Sequence, residues 1–277
     1  PSEERVAANR QTVNELGRSG EIHEKAYQDA LAYVRSKQPA YDAFDEAHEL
    51  AVNDNFEGAM DKVEKALSME PKEPRFYGLK GDILYAQTRY RQAEQAFSSA
   101  IQRDPNYYEY YLGRGLAKVR LGNKDLARRD LERSNDLLPT AIATNELGKL
   151  SLNAGNRTQA KTYFQMAMDA PGKPGDEAKT NFVRLDLPEN PDKYIAAQVR
   201  MANNGTLVGI LSNRTNLNVS QIRVAFAASV NGKRVDKVVN VDAIQPGETI
   251  QINTGWRLSD SDTLEATQGK VFQAKVK

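Results

Sequence analysis

The chain has 277 residues, 40% of them hydrophobic, which is enough apolar content for one large core or two smaller ones. Its 38 Lys and Arg nearly cancel 37 Asp and Glu, so the net charge of +1 gives no strong field to favour nucleic acid or an anionic membrane surface. The absence of cysteine excludes disulfides, thiolate metal sites and cysteine nucleophiles, and no apolar run reaches the roughly 18 residues that a membrane-spanning helix needs. The first predicted elements are helical. Ser2 is placed to cap a helix with Glu3 and Glu4 in its first turn, Val6, Val13 and Leu16 at helical spacing, and Gly17 as its stop. A second helix is predicted from about Glu21 to Ser36, with Ile22, Ala26, Ala30, Leu31 and Val34 on one broad face. The opening residues Pro1-Ser2-Glu3-Glu4-Arg5 are not a signal peptide and lack an initiator Met, and the chain is expected to be cut from a longer polypeptide.

A repeat follows. Pro71, Pro105 and Pro139 stand 34 residues apart; Ala59, Ala93, Ala127 and Ala160 are spaced 34, 34 and 33; Gly81, Gly115 and Gly148 are spaced 34 and 33. A bulky apolar residue stands four after each alanine (Val63, Phe97, Leu131, Phe164), and a small residue three further on (Ala66, Ala100, Ser134, Ala167). Five positions sharing one period require repeated supersecondary units stacked into a solenoid. The pattern resembles the tetratricopeptide repeat (TPR), which implies a helical hairpin per repeat. The small residues are expected where helices A and B of one repeat meet, the bulky residue is expected to fill the gap to the next repeat, and each proline ends helix B. The match covers about residues 40 to 172; the first repeat has the weaker helix-A positions Ala43, Ala47 and Leu50, and the fourth has Gly172 in place of the final proline. The segment from Asp176 to Leu185 is expected to cap the array.

At Leu187-Pro-Glu-Asn-Pro191 the hydrophobic period changes from helical to alternating, which marks a boundary. Strands are predicted at Tyr194 to Met201, Thr206 to Leu211, Ser220 to Val230, Val235 to Val241, Thr249 to Asn253 and Val271 to Val276, with turns at Asn203-Asn204-Gly205, Asn231-Gly232 and Pro246-Gly247-Glu248. The fold class is therefore multidomain, α then β: a TPR solenoid followed by a small antiparallel β-sandwich, with N-terminal helices over 1–38, the array with its cap over 39–186 and the sandwich over 192–277. Gly205-Thr-Leu-Val-Gly209, Val230-Asn-Gly232 and Pro246-Gly-Glu248 resemble the FxLYD domains of bacterial envelope proteins, although Val224-Ala-Phe-Ala227 stands where their signature would be.

No catalytic pattern emerges. The two histidines, His23 and His48, fall on different predicted helices without ligand spacing, and no GxSxG, P-loop or dinucleotide-binding glycine series is present. No cofactor or metal is expected. The expected activity is protein or peptide binding. The TPR resemblance implies a concave face lined by helix A, and the matching positions supply Tyr41, Phe44, Tyr85, Leu112, Leu116, Val119 and Leu152 as groove residues, with His48, Asp82, Asn145 and Lys149 among the polar ones. An apolar segment or partner helix suits this surface better than an acidic tail. Two further features are read mainly as structural: Tyr108 and Tyr111 as packing residues, with Tyr107 and Tyr110 open between packing and exposure, and Arg128-Arg129 as a solvated helix face.

Pro1-Ser2-x-x-Arg5-Val6 followed by a helix resembles the end of the catalytic domain in bacterial zinc metallopeptidases of the CAAX prenyl protease-like class, some of which continue into TPRs. Their HExxH motif matches nothing here. The resemblance implies an accessory, non-catalytic region of an envelope, periplasmic protease, whose groove would bind a partner, a substrate or the protease domain of the same polypeptide. The alternative is a free-standing TPR adaptor, in the envelope or the cytoplasm.

Overall fold

A computed structural model describes residues 24–277 together with the isolated positions 7, 11, 12 and 15; the predicted first helix, the start of the second and His23 lie outside the described residues. The helices are α1 (Glu24–Val52), α2 (Phe56–Met69), α3 (Pro74–Ala86), α4 (Tyr90–Arg103), α5 (Tyr108–Arg120), α6 (Lys124–Leu137), α7 (Ala141–Asn153), α8 (Arg157–Ala167), α9 (Lys173–Asp186) and the short α10 (Pro191–Tyr194). Six strands follow: β1 (Ile195–Met201), β2 (Thr206–Asn213), β3 (Val219–Val230), β4 (Lys233–Ile244), β5 (Thr249–Arg257) and β6 (Leu264–Val276). Internal packing groups the chain into two units, Pro1–Pro105 and Asn106–Lys277.

The hairpins owe their geometry to the periodic small residues. A methyl group built on Gly81 would lie 2.7 Å from the Phe97 ring, one on Gly115 would lie 2.9 Å from Leu131, and one on Gly148 would lie 2.5 Å from Phe164. The bulky residue of helix B thus packs onto the glycine of its own repeat. This corrects the expectation that it fills the gap to the next repeat: the glycine leaves a hollow on helix A that a ring or branched side chain occupies at van der Waals distance. In the first repeat the matching residues are Ala47 and Val63, both fully buried, so a larger helix-A residue is matched by a smaller one on helix B. The turns from helix A to helix B repeat as well. Asp54, Thr88, Gly122 and Gly155 all adopt a left-handed backbone, with φ of 59°, 61°, 79° and 79°.

The helix expected to end near Ser36 instead runs unbroken through Pro39. The proline costs one helical hydrogen bond, but Ala40, Ala43, Phe44 and Ala47 bury directly after it in one cluster with Ala59, Val63, Phe76 and Ile83. The division drawn at residue 38 therefore falls inside one helix, whose first half is largely exposed, with Tyr33 at 65% and Val34 at 59%.

The C-terminal strands form two antiparallel three-stranded sheets, ordered β1-β2-β5 and β4-β3-β6. Ile195, Leu207, Leu211, Ile222, Val224, Phe226 and Val271 fill the space between them. Gly209 on β2 admits the Phe226 ring of β3, since a methyl there would lie 2.6 Å from it. The predicted β3–β4 turn has positive φ at both Asn231 (52°) and Gly232 (72°), as a tight two-residue hairpin demands. Val183 and Leu187 join the same core, so the Leu187–Pro191 boundary is not a loose linker: Leu187 is fully buried and Pro191 begins α10.

Candidate protein-binding face

In the first unit, Tyr41 and Phe44 both meet Phe76. The Tyr41 ring stands edge-on at 5.4 Å and the Phe44 ring stacks at 5.0 Å. The Tyr41 hydroxyl donates to Glu73 at 2.7 Å. Phe44 is only 8% exposed and carries the Arg75 guanidinium 5.2 Å from its ring centre, so it acts as a core residue and leaves Tyr41 as the more accessible of the two. Tyr85 is half-buried and packs edge-on against Tyr90 at 5.3 Å. His48 is exposed.

In the second unit, Leu112, Leu116 and Val119 of α5 are each half-buried and rest together on Ala127, Leu131, Ala143, Leu147 and Leu150. Their spacing of four and three puts them on one face of α5. Leu152, also half-buried, belongs to a different cluster with Ala160, Phe164, Ala178 and Leu185. The structure therefore brings Leu112, Leu116 and Val119 together and sets Leu152 apart from them.

A polar group lies on the next A-type helices. Asn145 on α7 is 2% exposed; its amide nitrogen donates to Glu177 of α9 at 3.2 Å, and its oxygen has no partner among the described residues. Lys149, one turn on, donates to Glu146 and Glu177, each at 2.8 Å. Burial opposes the Lys149 charge, but these hydrogen bonds outweigh it and raise its pKa above the ordinary 10.5. The bond from Lys149 in turn holds Glu177 below 4.5, against burial. Beside them, Lys149, Lys173, Asp176, Glu177, Thr180 and Asn181 line an open pocket of about 480 Å³. Glu177 escaped the sequence reading because α9 carries no repeat motif. Its distance from Asn145, 32 residues and close to the repeat period, was the available signal.

The tyrosine cluster divides into buried and exposed members. Tyr110 is the buried member at 4% exposure, while Tyr107 is 39% exposed and packs against Tyr110 at 4.8 Å. Tyr111 is half-buried, with the Arg114 and Arg133 guanidinium groups 5.6 and 5.8 Å from its ring centre. Arg114 also grips Asp130 with two bonds of 2.7 and 2.8 Å, and Lys118 adds a third of 2.8 Å, forming a largely buried ionic knot between α5 and α6. Arg128 reaches Ser151 of α7 at 3.2 Å, whereas Arg129 is exposed. Among the described residues no group of three or more His, Cys, Asp or Glu side chains is arranged to hold a metal ion, and no helix is long and apolar enough to cross a membrane.

Comparison with known proteins agrees with this architecture. The tetratricopeptide-repeat model matches residues 44–108 and 79–142. The DnaJ homolog subfamily C member 7 homolog of Dictyostelium discoideum is 27% identical over 158 residues, covering 53% of this chain and 28% of that protein. Tetratricopeptide repeat protein 33 of Xenopus laevis is 26% identical over 169 residues, covering 57% of this chain and 62% of the relative. The chain thus aligns with less than two thirds of either relative's length. Among solved structures, PilF of Pseudomonas aeruginosa superposes with a TM-score of 0.50 at 16% identity over 56% of this chain and 70% of its own. A chain of the APC/C hetero-tetramer Cut9–Hcn1 does so with a TM-score of 0.50 at 20% identity over 61% of this chain and 34% of its own. Period, hairpin geometry and matched segment agree: residues 44–142 of this chain are tetratricopeptide repeats.

Proposed function

We propose that the chain is a non-catalytic interaction module and that, within its second unit, the α5 face receives an apolar protein segment. The observation that carries this reading is the row of Leu112, Leu116 and Val119, half-buried together at helical spacing on one face of α5. Apolar side chains left partly open on one helix face suit a segment that supplies apolar side chains to the row.

The test is selection of a phage-displayed random peptide library on the purified chain, followed by titration of the enriched peptides. Enrichment of apolar peptides that lose binding to the Leu116→Glu, Val119→Glu double variant, with its melting temperature unchanged, supports the reading. No enrichment, or enriched peptides that bind the double variant equally, overturns it.

Two finer readings rest on resemblance. The accessory region of an envelope zinc metallopeptidase is supported by Pro1-Ser2 and Arg5-Val6, and an in-frame HExxH upstream in the gene tests it. Kinship of the sandwich to FxLYD domains is supported by Asn231-Gly232 and Pro246-Gly247 forming the turns that the pattern requires.

A further inference from the structure

The C-terminal sandwich has four edge strands. On one side β1 and β6 cover each other: the backbones approach so closely that a methyl on Gly269 would lie 2.6 Å from the Ala197 carbonyl oxygen. On the other side, among the described residues, β4 and β5 are each hydrogen-bonded along one edge only. Edge strands usually defend themselves with charge or brevity. β4 is not brief, at 12 residues, and the charges on its outward face are of both signs: the row is Arg234, Asp236, Val238, Asn240 and Asp242. Val238 is 49% exposed, and neither Arg234 nor Asp242 makes an ion pair among the described residues. On the inward face, the charge nearest the centre of the strand, Lys237, already has partners: its ammonium donates to the backbone carbonyls of Asn253 and Thr254 on β5 at 3.2 and 3.1 Å. It binds β5 beneath the sheet and does not guard the free edge.

We infer that two copies of this chain pair through β4, antiparallel and symmetric, so that sheet β4-β3-β6 continues into its twin. The charge pattern selects both the occupant and the register. A two-fold axis through the sheet keeps inward residues opposite inward ones, so the pairing must centre on a residue. Centred on Val238, Arg234 of each copy stands opposite Asp242 of the other, giving two ion pairs; Val238 meets Val238, and Val235 meets Val241 twice. Moved by one residue, the centre at Val239 places Asp236 opposite Asp242 twice, and the centre at Lys237 places the two ammonium groups face to face. Like charges directly opposite are destabilising. Among these, only the pairing centred on Val238 gains ion pairs and sets no like charges opposite each other.

Sedimentation velocity on the full chain across a concentration series tests this. The wild type is expected to dimerise, more weakly in high salt. Arg234→Asp places Asp opposite Asp, and Asp242→Arg places Arg opposite Arg, so each variant alone is expected to weaken the dimer by roughly tenfold or more. Mixing the two variants restores both ion pairs, so the mixture is expected to form heterodimers where neither variant forms homodimers. Circular dichroism melts matching the wild type establish that these exposed substitutions leave the fold intact. A wild type that stays monomeric throughout, single variants that dimerise as the wild type does, or a mixture that stays monomeric overturns the inference.

Discussion

The Tyr194 hydroxyl donates to Oδ2 of Asp186 at 2.7 Å, joining the entry to the first strand of the sandwich to the end of the helix that caps the repeats. Asn190 adds a bond of 2.8 Å and the Lys161 ammonium of α8 approaches to 2.6 Å. Burial alone would raise the Asp186 carboxyl, but the bonds from Lys161, Tyr194 and Asn190 together outweigh it and lower its pKa from 3.8 to about 2. Burial and the same carboxylate push the Tyr194 phenol upward. A carboxyl depressed on folding contributes stability above its unfolded pKa and loses it as pH falls through the folded value. The contribution, about 2 kcal/mol from the size of the shift, is therefore expected to disappear between about pH 5 and pH 2. Chemical denaturation of Asp186→Asn beside the wild type checks this: the variant's stability should change by about 2 kcal/mol less over that window.

Gly148→Ala forces a methyl to 2.5 Å from the Phe164 ring and is expected to destabilise the chain by about 1–3 kcal/mol through overpacking. Adding Phe164→Val recreates the Ala47 and Val63 combination of the first repeat. The second change should then cost much less in the Gly148→Ala background than alone, which a double-mutant cycle of thermal melts measures as a positive coupling.

Thr88 holds φ of 61°, a conformation that a β-branched residue adopts only at a cost, while the equivalent positions in the third and fourth repeats are Gly122 and Gly155. Thr88→Gly is expected to raise stability by up to about 1 kcal/mol, the strain relieved exceeding the added unfolded-state entropy. A melting temperature at or below that of the wild type would show that the threonine is not strained.

Asp130 is 5% exposed and neutralises both Arg114 and Lys118. Asp130→Ala removes the buried carboxylate that both cations share and is expected to cost about 3–5 kcal/mol. Lys118→Met leaves the Arg114–Asp130 bidentate pair intact and should cost far less. Equal losses in the two variants, measured by urea denaturation, would place the stability in the packing of α5 and α6 rather than in the charges.

The repeat was legible because a solenoid writes its packing periodically: the same glycine, alanine and proline recur wherever the same hairpin contact recurs. The strands were legible for a local reason too, since alternation and the Asn231-Gly232 turn are set by neighbouring residues. What the sequence could not decide were contacts between elements without a shared period. It placed Phe44 on the binding face, whereas stacking on Phe76 buries it, and it favoured Tyr111 over Tyr110 for packing, whereas Tyr110 lies at 4% exposure. It drew boundaries at residue 38 and after Leu187, yet α1 runs through the first and Leu187 fills the sandwich core at the second. Burial of an apolar side chain outweighs the local signal of a proline, and the chain position of the surface that buries it is fixed only when the elements pack. The same holds for Asn145 and Glu177: the repeat put Asn145 on helix A, but only the packing of α9 onto α7 supplied the carboxylate that takes its amide and left its oxygen unmatched.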